Sequence, residues 1–106
     1  MSAPGIFRAI SNRISELEGS VLERLTEIEN NCFESAKDDA DKFAECMSRY
    51  TKKVKQQHHL MEVKASWIKT TTLKCIEKNP NDLESCQNKA LSLVDQHFAI
   101  FLRNIN

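Results

Sequence analysis

Four cysteines and three histidines are the residues best suited to chemistry in this chain, and their spacing decides which chemistry is open to them. Dithiol redox enzymes place two cysteines two residues apart so that one thiolate is activated by its surroundings. Here Cys32 and Cys46 bracket 13 residues, and Cys75 and Cys86 bracket 10. Zinc sites draw on closely spaced ligand pairs, which these intervals do not supply, and copper carriage through neighbouring thiolates needs adjacent cysteines. His58 and His59 are consecutive, so on a helix they point about 100° apart and do not share an ion; they read as solvated surface. His97, beside Phe98, reads as a partly buried packing residue. No Gly-rich phosphate loop, no Ser, His and Asp constellation and no carboxylate pair in an apolar setting occurs. The expectation is no enzyme, no metal and no cofactor, with Cys32, Cys46, Cys75 and Cys86 serving as disulfides.

Which cysteines pair depends on where the chain reverses. Pro80 lies at the midpoint between Cys75 and Cys86, and proline inside a helix lacks an N–H and clashes with the preceding turn, so a turn belongs there. Asn81 is expected to cap the following helix, with Glu84 three residues on as the reciprocal half of a capping box. Pairing Cys32 with Cys46 and Cys75 with Cys86 puts each bridge beside a turn. The competing nested arrangement, Cys32 with Cys86 and Cys46 with Cys75, makes one long hairpin centred near Leu60. It would leave Pro80 inside a helix and, with spans of 14 and 11 residues, offset one rung by about 4.5 Å. The sequential pairing is preferred to the nested one, and free thiols are the third alternative. The stretch from Glu34 to Glu45 offers Asp38, Asp39 and Asp41 as caps but neither Gly nor Pro, so a continuous helix there stays open.

Apolar periodicity places three helices around these turns. Phe7, Ile10, Ile14, Leu17, Val21, Leu25 and Ile28 recur at spacings of three and four, the signature of one helical face. Phe43, Met47, Tyr50, Val54, Met61 and Ile68 continue the pattern in a second helix, with Gln57 and Lys64 as polar interruptions and Leu60 and Trp67 widening the stripe. Leu83, Ala90, Leu93, Val94, Phe98, Phe101, Leu102 and Ile105 form the broad apolar face of a third. The expected fold is all-α, one domain over residues 1–106, with helices at about 6–34, 40–78 and 82–104. A second helix of that length would exceed 50 Å and outrun its neighbours, so part of it is expected to project or to bend, with Gln57, His58 and His59 as the place for a kink.

Charge is balanced overall, 15 basic against 15 acidic residues, and no global field draws the chain to nucleic acid or to an acidic membrane. Its distribution is uneven. Glu16 to Glu45 holds ten acidic residues against Arg24, Lys37 and Lys42, whereas Arg49, Lys52, Lys53, Lys55, Lys64 and Lys69 face only Glu62 in their stretch. Either neighbouring helices carry complementary faces, or the stretch from Arg49 to Lys69 docks an acidic partner or an anionic lipid head group. The longest apolar run, Phe98 to Leu102, is far below the roughly 20 residues of a membrane span. The first residues contain neither the apolar core of a secretory signal nor a typical Arg-rich and Ser-rich presequence.

The segment from Cys75 to Cys86, with Asn79, Pro80, Asn81 and Asp82 at its centre and an apolar helix after it, resembles the inter-helix turn of the coiled-coil-helix-coiled-coil-helix proteins of the mitochondrial intermembrane space. The spacing of Cys32 and Cys46 is similar to the inner cysteine pair of the small Tim chaperones of the same compartment. The resemblance implies import without a cleaved presequence, oxidation by a disulfide relay, and residence in the intermembrane space at the periphery of the inner membrane. The chain departs from both patterns: the first family would carry outer cysteines near Ala65 and Gln96, and the second at Ile28 and Tyr50.

Two roles follow as expectations. One is a structural accessory subunit of an inner-membrane complex of respiratory-chain type, on its intermembrane-space side. The other is an import chaperone or assembly factor of small Tim type. In either case partner proteins are expected on the apolar surface of the second and third helices, through Leu60, Met61, Trp67, Ile68, Phe98, Phe101 and Leu102, because a long second helix leaves apolar residues uncovered.

Overall fold

Ser2 opens the first helix, its hydroxyl accepting a hydrogen bond from the Gly5 amide at 3.1 Å and satisfying a donor that the first turn leaves without a partner. Pro4 follows in that first turn, where a missing N–H costs nothing. The computed structural model describes Met1–Asn106 and contains three helices: α1, Ala3–Ala36; α2, Ala40–Lys78; and α3, Leu83–Ile105. The architecture is all-α. Cys32 is bonded to Cys46 and Cys75 to Cys86, with Cα atoms 5.6 and 5.8 Å apart, and no cysteine is left free. The sequential pairing therefore holds and the nested one does not.

The two reversals are built differently. After α1 the chain turns within three residues: the Asp39 amide donates to the Ala36 carbonyl at 3.1 Å, and Lys37 adopts φ 56° and ψ −117°, a conformation that favours glycine. Asp39 then caps α2 by accepting from the Asp41 and Lys42 amides. The turn lacks Gly and Pro because one strained lysine and one aspartate cap suffice. After α2, Asn79, Pro80, Asn81 and Asp82 form a turn closed by the Asp82 amide donating to the Asn79 carbonyl at 3.0 Å, with proline at the position whose φ it pre-sets. This turn consumes Asn81. The cap of α3 is consequently Asp82, accepting from the Ser85 amide at 3.2 Å, one residue later than the Asn81 and Glu84 box expected from sequence.

The helices run up, down and up along a rod of 61 × 19 × 17 Å. α2 is helical without interruption across Gln57, His58 and His59 and fits within the 61 Å rod, so no break occurs there. It does not outrun α1 either. With 34 and 39 residues, the two helices are both about 50 to 60 Å long and pair along most of the rod. The 23-residue α3 fills the groove between them over one half only. Its end is tied to both: Asn106 accepts from Arg24 of α1 at 2.5 Å, and Asn104 donates to Gln57 of α2 at 3.3 Å. Arg13 of α1 grips Asp95 of α3 with two parallel bonds of 2.6 and 2.8 Å, and that guanidinium holds the Asp95 carboxyl below the usual carboxylate range.

The core consequently sits at the three-helix half. Ile6, Ile10, Met61, Ile68, Ala90, Val94, Phe98, Phe101 and Ile105 form one buried cluster. Thr72, also buried, donates its hydroxyl to the Ile68 carbonyl at 2.7 Å and so leaves no orphan polar atom. In the two-helix half only Ile28, Cys32 and Ala36 are buried.

Candidate interaction surfaces

The seam between α1 and α2 is open on one side at the level where α3 backs it. The opening is an apolar groove of about 380 Å³. Ile14, Val21, Leu22 and Leu25 of α1 make one wall, Val54, Met61 and Ala65 of α2 the other, and Phe98 and Phe101 reach through from α3 to line it. Glu18, His58 and Glu62 form its polar rim, with His58 and Glu62 joined at 3.0 Å one helical turn apart. Leu22 is 64% exposed. Further along the same edge of α1, eleven residues on, Phe33 is 66% exposed and meets the Phe43 ring edge-on at 6.3 Å beside the first disulfide.

The residues expected to dock partners divide. Met61, Ile68, Phe98 and Phe101 belong to the buried cluster, and Leu102 is half-buried against it. Only Leu60 and Trp67 remain exposed. The physical reason is the position of α3, which enters the space between α1 and α2 and spends its aromatic residues on the chain's own interior. A truncation of Phe101 therefore tests folding rather than docking.

Leu60 and Trp67 share their helical face with Val63, and the three form an exposed apolar stripe on the opposite side of α2 from the groove. Trp67, 51% exposed, packs edge-on against His97 of α3 at 6.0 Å between ring centres. Burial, aided by the nearby Lys64 charge, holds the His97 imidazole below its ordinary range; its Nδ1 has no hydrogen-bond partner. This agrees with the reading of His97 as a packing residue.

The basic stretch of α2 is unpaired. The ion pairs of the molecule join Arg13 to Glu16 and Asp95 and Arg24 to Glu27, and the His58 ring contacts the Glu62 carboxylate. None engages Arg49, Lys52, Lys53, Lys55, Lys64 or Lys69, so the expectation of complementary charged faces between neighbouring helices is not met. Sequence reasoning also missed Leu22, Phe33 and Val63. Their signal was present: each is a large apolar residue lying off its helix's main stripe. No group of three or more His, Cys, Asp or Glu side chains is placed to hold a metal ion, and no helix is long and apolar enough to cross a membrane. The chain matches no family model, no curated protein and no solved structure.

Proposed function

We propose that this chain is a structural accessory subunit of a mitochondrial inner-membrane complex of respiratory-chain type, held at the membrane periphery on the intermembrane-space side. The observation that carries the reading is the use of all four cysteines as staples beside the two turns of a helical rod. Disulfides of this kind persist in oxidising compartments and are rare where thiols are kept reduced. The resemblance of the Cys75 to Cys86 turn to intermembrane-space helical hairpins supports the same compartment. On this reading the apolar groove receives a segment of a neighbouring subunit. The acidic rim of Glu18 and Glu62 selects one with flanking basic residues, and cations of the stretch from Arg49 to Lys69 face anionic lipid.

The groove also favours a second reading, an import chaperone or assembly factor that holds apolar client segments between helices. Purification of the tagged chain in mild detergent, followed by mass spectrometry, separates the two. A subunit copurifies in fixed stoichiometry with one membrane assembly, and Leu22→Glu, which changes an exposed groove residue, releases it with the fold intact. A small soluble oligomer indicates the chaperone. Recovery as a lone soluble monomer rejects both.

A further inference from the structure

Five cations of α2 share a face with Trp67, while Lys52, Lys55 and Lys69 lie about 60°, 120° and 160° away around the helix. Arg49, Lys53, Lys64, Lys74 and Lys78 stand 18, 14, 3, 7 and 11 residues from it, intervals that return to the same side of a helix at about 3.6 residues per turn. Between Arg49 and Lys78 the acidic residues are Glu62 and Glu77, which lie about 140° and 80° away around the helix at about 100° per residue. The adjoining strip of α3 repeats the arrangement. Lys89, Gln96 and Arg103 share a side with half-buried Ile100, while Glu84 and Asp95 lie about 80° to 140° from those three around the helix, Asp95 being taken by Arg13. The contacts of Trp67 with His97 and of Gln57 with Asn104 place the two strips side by side. None of these cations forms an ion pair. The result is a two-helix face with Leu60, Val63 and Trp67 along its middle, cations along its length and no carboxylate within it.

We infer that this α2 and α3 face is a peripheral docking surface for an anionic lipid bilayer, lying flat with Trp67 at the level of the head groups and the lysines reaching the phosphates around it. Three features select a bilayer over an acidic protein. The cations are spread along a line of some 30 residues instead of converging on a pocket, which suits a diffuse plane of charge. Most are lysines, point charges on flexible stems, and not the forked guanidinium suited to paired carboxylates. At the centre is a half-exposed tryptophan, the side chain that favours the membrane interface. Since the whole chain carries no net charge, attraction to anionic lipid comes from this sorting alone. The inference rests only on the membrane-side placement proposed above and not on membership of any complex.

Trp67 is the one tryptophan, so its emission reports the face directly. The purified, oxidised chain is mixed with phosphatidylcholine vesicles with or without phosphatidylglycerol. Sedimentation with the anionic vesicles only, a blue-shifted emission quenched by brominated acyl chains, and release by high salt are expected. Lys53→Gln combined with Lys74→Gln lowers partitioning about 25-fold, roughly fivefold per cation. Arg8→Gln, which removes an exposed cation of α1 away from this face, leaves it unchanged. Circular dichroism confirms that these surface variants stay folded. Equal binding to neutral vesicles, equal losses for the α1 and α2 variants, or no binding would overturn the inference. So would capture by immobilised polyglutamate without capture by vesicles, which assigns the face to an acidic protein. Because the assay uses the isolated chain, it can fail while copurification with a membrane assembly succeeds, and the reverse.

Discussion

The two ends of the rod are held together by different means. At the three-helix end, α3 closes the groove between α1 and α2, and the buried cluster from Ile6 to Ile105 carries the packing. At the two-helix end, α1 and α2 have only each other. A pair of helices buries one stripe on each, so Phe33 stays largely exposed and Phe43, Met47 and Tyr50 are half-buried. The first disulfide lies there, and the second beside the far turn of an already packed region. Similar covalent staples thus serve different ends: one reinforces a core, and the other stands in for a missing helix.

The largest effect that would break this contrast is in the core. Phe98→Ala empties a site in contact with all that α3 organises, and a loss of about 3 to 5 kcal/mol is expected in chemical denaturation, a large share of the roughly 5 to 15 available to a small domain. Phe33→Ala, at the exposed end, should cost about 1 kcal/mol or less, the worth of an aromatic pair. Equal costs at the two sites would show the ends to be packed alike.

Next in size is removal of the first staple. Cys32→Ser with Cys46→Ser should destabilise by about 3 kcal/mol on loop-closure grounds. Native-state hydrogen exchange would show the loss confined to amides of roughly residues 25–54, while those of α3 keep their protection. If α3 lost protection in parallel, the rod would be one cooperative unit and the comparison of its ends would fail.

The smallest effect sharpens the contrast at the first turn. Lys37 holds a positive φ that only glycine adopts freely, so Lys37→Gly should raise stability by about 1 kcal/mol, read as a shifted denaturation midpoint. In the background lacking the first disulfide the gain should persist, since the strain belongs to the backbone of the turn. A gain that vanished there would mean that the staple, not the Ala36 to Asp39 turn, imposes the conformation.

What the sequence determined by itself was local. Helical periods, the turn at Pro80 and the preference for neighbouring cysteines to pair all rest on interactions spanning a dozen residues or so, and these reach the fold almost unchanged. The cap of α3 moved by one residue because the Asn79 to Asp82 turn and the capping box compete for Asn81. The division of apolar residues between core and surface was not local. Phe101 and Trp67 both widen apolar stripes, yet one is buried and the other half-exposed, and nothing in their spacing tells them apart. That outcome depends on where α3 stops along α1 and α2, which turns a broad stripe into interior on one side and leaves surface on the other. The tertiary structure likewise decided that the basic residues of α2 stand clear of the acids of α1: side chains one helix apart in sequence meet only if the helices present those faces to each other, and here they do not.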